Sequence, residues 1–229
     1  MARTIVALYD DFDTAQRAVQ DLVDAGFART DISLVANDAS GEYRRYADDG
    51  MVDDDDVTAG EGAGFGAVVG TLVGLGVALI PGIGPVIAAG PLAAALLAGI
   101  GAAAGAATGG IVASLVDFGV PEEEAHVYAE GLRRGSTLVS VVAEETHAAR
   151  VEDILNRHNP TDVDQRATAW RETGWQSFDY EAAPYAETDI RRERDVYTGT
   201  TTGASDLPIS DRDEYTGTTA GRARTYRRG

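Results

Sequence analysis

Pro81-Gly82-Ile83-Gly84-Pro85 stands at the waist of a 55-residue run, Gly62 to Val116, that carries no charged side chain. The rest of the 229-residue chain is crowded with carboxylates: 37 acids oppose 19 bases, every base an Arg, for a net charge of -18. On both sides of the waist the run is built mainly from Gly, Ala, Val, Leu and Ile. A hydrocarbon core about 30 Å thick takes roughly 20 apolar residues in a helix. Glu61 to Ile80 just meets that length, and Val86 to Val116 exceeds it. Proline and glycine interrupt helices, so Pro81, Gly82, Gly84 and Pro85 are expected to turn an apolar helical hairpin over residues 61–116. Gly66, Gly70 and Gly74 on the first arm, and Gly101, Gly105 and Gly109 on the second, recur every four residues and share a helix face. A face of glycines lets another backbone approach closely, which is how apolar helices associate where water supplies no drive. The hairpin is therefore expected to insert into membrane lipid and to make the chain a homo-oligomer. The alternative is a soluble assembly whose hairpins share one apolar core, because an exposed patch of this size would aggregate.

Outward from the run, two similar halves appear. Thr4 to Tyr9 reads as a short buried strand, a helix over Ala15–Ala25 follows with Asp13 or Thr14 as its cap, Gly26 ends it, and Asp31–Ala36 reads as a second strand. Later, Thr137–Val142 reads as a strand, Thr146–His158 as a helix and Thr161–Asp164 as a short closing strand. An offset of 133 residues brings Thr4 onto Thr137 and Arg17 onto Arg150. Two βαβ halves predict an α+β fold: a ferredoxin-like split sandwich, helices on one face of an antiparallel sheet, interrupted by the Gly-rich helical hairpin. The expected divisions are 1–36 for the first half, 37–60 for an acidic linker, 61–116 for the hairpin, 117–167 for a helix plus the second half, and 168–229 for a disordered tail. In that tail Asp195-Val196-Tyr197-Thr198-Gly199 returns 18 residues later as Asp213-Glu214-Tyr215-Thr216-Gly217, and its low apolar content predicts disorder. Trp170, Trp175 and Phe178 are the residues there that could dock.

Composition excludes several chemistries. The chain has no Cys and no Lys, hence no thiolate nucleophile, Schiff-base lysine or Walker lysine. Residues 1–165 hold 26 acids against 9 Arg, and such a body repels nucleic-acid phosphates. Met1 leads directly into the first strand, so no signal peptide is expected. His126 and Glu130 are spaced i,i+4 on a helix opened by Pro121-Glu122-Glu123-Glu124, but a metal site needs further ligands. Asp53–Asp56 lacks the alternation of a calcium loop and reads as a solvated linker. Gly62-Ala63-Gly64-Phe65-Gly66-Ala67 matches a dinucleotide fingerprint without the strand that should precede it. Ser114, Ser136 and Ser140 lack a nucleophile-elbow context. The expectation is a non-enzyme with no catalytic residue, cofactor or metal.

Ile5-Val6-Ala7-Leu8-Tyr9-Asp10, Leu22-Val23-Asp24-Ala25-Gly26-Phe27 and Asp31-Ile32-Ser33-Leu34-Val35 resemble the bacterial general stress protein 17M-like family of heat-induced stress proteins. The Pro81–Pro85 waist and the stretch Gly119 to Gly135 are similar to its longer, low-temperature-induced members, so the resemblance covers about residues 3–167. It implies a stress-response role without enzyme activity and supplies no catalytic residues. With the hairpin, it leads to an expected location at the bacterial inner membrane with the folded part in the cytoplasm, or alternatively in the cytoplasm altogether. A small-molecule regulatory module is the weaker alternative, on fold analogy alone.

Overall fold

Ile5-Val6-Ala7-Leu8-Tyr9 is apolar at every position, and a strand of that pattern needs cover on both faces. The computed structural model, which describes residues 1–41, 76–101, 110–198 and 222–227, supplies it. Strand β1 (Ala2–Tyr9) sends Ile5, Ala7 and Tyr9 into one apolar cluster and Val6 and Leu8 into another on the opposite face. Helix α1 (Phe12–Asp24) follows, its Ala15, Ala18, Val19 and Leu22 buried in the first cluster. Its cap is Asp11, whose carboxylate accepts from the Thr14 backbone N–H at 2.7 Å, two residues before Asp13, the earlier of the expected caps, and Phe12 is already buried as a helical residue. Strand β2 (Ile32–Asn37) completes the first βαβ unit.

The described part of the apolar run, residues 76–101 and 110–116, follows another plan from the one expected. Strands β3 (Gly76–Ile80) and β4 (Gly84–Ala89) form an antiparallel β-hairpin, and the helices α2 (Pro91–Gly101) and α3 (Ile111–Asp117) come after it. Pro81, Gly82, Gly84 and Pro85 do sit at a chain reversal, but it joins strands and not helices. Gly82 has φ +78°, and a Cβ there would stand 2.6 Å from the Asp179 carbonyl oxygen, so both the turn and a close approach require glycine. Glycines 76, 82, 84 and 90 cut the run into pieces of strand length. Among the described residues the second arm holds a strand and two short helices, and no helix is long and apolar enough to cross a membrane. Gly66, Gly70, Gly74, Gly105 and Gly109 lie outside the described residues; Gly101 is the last residue of α2. The acidic run Asp53–Asp56 also lies outside them.

Helix α4 (Glu122–Arg133), strand β5 (Thr137–Glu144) and helix α5 (Glu145–Arg157) follow, then α6 (Val163–Glu172), α7 (Glu187–Thr198) and β6 (Arg224–Arg227). The strands form one sheet in the order β3-β4-β2-β5-β1-β6, each neighbouring pair antiparallel. Helices α1 and α5 cover one face; residues of α2, α3, α4 and α6 line the cluster on the other. Helices on both faces replace the expected single layer. The expected closing strand at Thr161–Asp164 does not form: the Thr161 N–H donates to the Leu8 carbonyl at 2.7 Å, and Asp162 caps α6 by accepting from the Gln165 N–H. The place beside β1 belongs to β6.

Within the region expected to be a disordered tail, the described residues include helix and strand, and Trp170, Phe178, Ile190, Ala223 and Tyr226 are buried among mostly exposed neighbours. Trp170 and Phe178 are each 3% exposed within the α4-side cluster, with Trp175 and Tyr180 against it. The segment around Phe178–Tyr180 lies over the β3–β4 turn and over Gly110, where a Cβ would meet the Tyr180 ring at 2.9 Å. The tandem repeat, apart from Asp195–Thr198 in α7, lies outside the described residues.

Candidate functional site

A sheet has two edges, and each edge strand presents unpaired backbone groups that must be covered or managed. Here the two edges differ in chemistry, and the difference grows from the sequence at each. Arg222-Ala223-Arg224-Thr225-Tyr226-Arg227 is too polar to bury itself, so β6 is held by specific partners. Its residues alternate between faces as a strand requires. Tyr226 enters the α4-side cluster, with its hydroxyl donating to Glu124 Oε2 at 2.6 Å and 2.9 Å from the Tyr128 hydroxyl. With the Tyr226 proton committed to Glu124, Tyr128 is the donor in the second bond. Arg224 donates to the same Glu124 oxygen at 2.6 Å and pairs with Asp164 of α6. On the other face Thr225 bonds Glu152 of α5, and Asn156 Oδ1 accepts from the Arg222 and Ala223 N–H groups at 2.9 and 2.8 Å. Burial pushes the Tyr128 phenol well above its ordinary pKa; burial, the Tyr128 hydroxyl and Glu124 do the same to Tyr226.

Behind this edge, a second polar cluster fixes α6 and α7. Glu130, 0% exposed, accepts from Arg134 at 2.7 Å and from Arg133 at 3.4 Å. Arg134 reaches on to Glu193 of α7 at 2.9 Å and stacks over the Trp170 ring at 4.8 Å, and the Trp170 indole N–H donates to Glu193 at 3.1 Å. Burial pulls the Arg134 pKa down, but the hydrogen bond to Glu130 and the Glu193 and Glu130 charges outweigh it and hold the guanidinium charged. Two acids and two Arg balance, so the arrangement is a structural tie between α4 and the region beyond it. A third tie joins Arg166 of α6 to both Asp10 oxygens at 2.8 and 2.7 Å.

The opposite edge is built differently. No strand among the described residues pairs with the outer side of β3. Gly76-Val77-Ala78-Leu79-Ile80 holds no charge, and its Val77 and Leu79 are 43% and 71% exposed. They share the face of Ile87, their neighbour on β4, but extend past the cover of α1 and α5.

The histidines do not converge. His158 Nε2 meets Asp21 Oδ2 at 2.9 Å and ties α5 to α1, His147 packs edge-on against Phe27, and His126 is half-buried on α4. Glu130, the i+4 neighbour of His126, is taken by Arg133 and Arg134, and among the described residues no group of His, Cys, Asp or Glu could hold a metal. Ser114 and Ser140 are buried at 3% and 1% exposure and remote from solvent chemistry. Sequence reasoning placed the turn but missed both edges; the uncharged β-branched and aliphatic stretch at 76–80 was the available signal for one of them.

Residues 4–78 match the family model of the heat induced stress protein YflT domain. That match covers β1, α1 and β2 and runs into β3, and it supports a general stress-response role. It ends well before residue 167, where the resemblance read from the sequence extended. Neither the curated proteins nor the solved structures gave a match.

Proposed function

We propose that this is a non-enzymatic general stress-response protein that acts by self-association, with the uncharged β3 edge, unpaired among the described residues, as the contact between copies. The stress role rests on the domain match at residues 4–78. The observation that carries the rest is an edge strand without charge, proline or bulge, with Leu79 71% exposed, on a chain of net charge -18. Natural edges are ordinarily blunted by charge or cover. Two copies of this chain repel each other over most of their surfaces, and β3 is a place where they can meet without opposing like charges. The order β2-β5-β1-β6, with β1-α1-β2 and β5-α5-β6 interleaved, supports reading this part as a ferredoxin-like split sandwich. The proposed location is the cytoplasm.

The rival is membrane attachment by glycine-zipper helices. The described residues of its second arm form β4, α2 and α3, so its support rests mainly on residues 61–75. Size-exclusion with light scattering in detergent-free buffer, paired with carbonate extraction of native membranes, separates the two. Discrete oligomers and full recovery in the soluble fraction are expected. A monomer at every concentration tested defeats self-association, and retention in the carbonate-washed pellet favours the membrane.

A further inference from the structure

Pro85 fixes which backbone groups β3 leaves for a partner. In an antiparallel ladder the N–H and C=O of one residue point to the same neighbouring strand, and successive residues alternate sides. The Pro85 carbonyl accepts from the Asp38 N–H at 2.8 Å, on the β2 side of β4. Leu79, which faces Pro85 across the hairpin, therefore exchanges no ladder bond with it. Leu79, and Val77 two residues before it, turn their N–H and C=O groups outward, away from β4. Gly76, Ala78 and Ile80 turn theirs inward, in keeping with the Ile80 carbonyl that accepts from the Ile83 N–H at 3.1 Å in the turn. The two outward residues also carry the exposed side chains, whereas Ala78 and Ile80 are buried in the α4-side cluster.

We propose that β3 pairs antiparallel with β3 of a second copy about a two-fold axis at Ala78, joining two six-stranded sheets into one closed dimer. This pairing rests on the reading of β3 as the contact between copies and adds its register. With the axis at Ala78, Val77 stands opposite the partner's Leu79 and Leu79 opposite the partner's Val77, so every outward N–H and C=O of both strands meets a mate. The exposed Val77 and Leu79 side chains then cover each other on one face. On the other face Gly76 stands opposite the partner's Ile80, small against large. An axis at Leu79 would set Val77 opposite the partner's Pro81, which has no N–H to give. An axis at Val77 would set Leu79 opposite a residue before the strand begins. A one-residue slip would set outward groups against inward ones. Assembly ends at two copies, because pairing uses both β3 edges and leaves β6 at each end of the joined sheet. There Arg224 and Arg227 would meet like charges.

The chain has no Cys, so single thiols report the register in the full-length protein. Val77→Cys and Leu79→Cys each change an exposed side chain. Facing Cα atoms in an antiparallel ladder lie about 4.5–5.5 Å apart, within disulfide reach. Two copies of the same position would stand two residues further along, about 8 Å apart and out of reach. Mixed and mildly oxidised, the two variants are expected to give the cross-link between positions 77 and 79 about tenfold in excess of either self-linked product, counted by mass spectrometry after digestion. The parent in detergent-free light scattering is expected to reach twice the chain mass and no more. Self-linked Leu79→Cys in excess, beside a dimer that Leu79→Lys dissolves, would overturn the register while leaving β3 as the contact. A dimer without an excess of the mixed product, or growth beyond two copies, would also overturn the proposal. A monomer at every concentration would remove the self-association reading together with it.

Discussion

At one end of the sheet, β1 is closed by β6, whose segment Arg222–Arg227 carries three Arg and is held by carboxylates from α4, α5 and α6. At the other end, β3 has no charged residue and shows Leu79 to solvent at 71%. Hydrogen bonds and charge pairs are directional, so they suit a strand that must find one register. Uncharged surface is non-directional and tolerates a partner that arrives from outside. A chain of net charge -18 can use both devices because its excess charge lies elsewhere on the body.

The largest expected effect falls on the closed edge. Tyr226 is 8% exposed and bonded to Glu124 and Tyr128, so Tyr226→Ala removes a packed ring and leaves the buried Tyr128 hydroxyl without this partner. Urea unfolding should show a loss of about 3 kcal/mol, as for other buried aromatics cut to Ala. Trypsin should then cleave sooner after Arg222 and Arg224. An unchanged unfolding midpoint would mean that β6 contributes nothing to the body, and the contrast between the edges would disappear.

A smaller effect separates the edges by pH. Burial raises the pKa of Tyr9, Tyr128 and Tyr226 above the ordinary phenol value near 10. A phenol of this kind stabilises the fold fully below its unfolded pKa and loses that contribution as pH climbs toward the folded one, because the unfolded chain releases the proton first. Half a pH unit above about 10, the loss is roughly 0.8 kcal/mol for each phenol. Tyr226→Phe should therefore flatten the alkaline decline in a pH series of urea melts, relative to its own value at neutral pH. A decline as steep as in the parent would place the titrating groups elsewhere. The β3 edge has no titratable group, so oligomer size should not follow this curve.

The same contrast explains what the sequence could disclose. Ile5–Tyr9 was legible because a continuous apolar run of that length makes a buried strand, Thr137–Val142 because it is rich in β-branched residues, and α1 and α5 because their apolar residues recur at helical spacing. The reversal at Pro81–Pro85 was legible from its residues, but not what it joined. In a stretch where every residue is apolar, no alternation separates strand from helix. Glycines at 76, 82, 84 and 90 were the better ruler, and Gly90 shows why: a Cβ there would collide with the Ile32 carbonyl of β2. Strand β6 was not legible at all. Its four residues acquire their structure from Glu124, Glu152 and Asp164, which lie 60 to 100 residues away in sequence, and no local pattern reports such partners. Glu124 itself was readable only as favourable charge at a helix start, which it also is.

The smallest expected change in fold stability carries the most weight for the open edge. Leu79→Lys places a charge on a side chain that is already 71% exposed, so the monomer should lose no more than about 0.5 kcal/mol. Strand edges that must stay single commonly carry Lys, and the substitution supplies one where this chain has none. If copies meet at β3, the variant should unfold at the same urea concentration as the parent when dilute, yet run as a smaller species in light scattering when concentrated. A parent whose melting temperature rises with protein concentration, beside a variant whose melting temperature does not, would tie that assembly to Leu79, since association stabilises by mass action. Equal oligomer sizes for parent and variant would move the contact away from β3, leaving the uncharged edge without a partner and the self-association reading without its site.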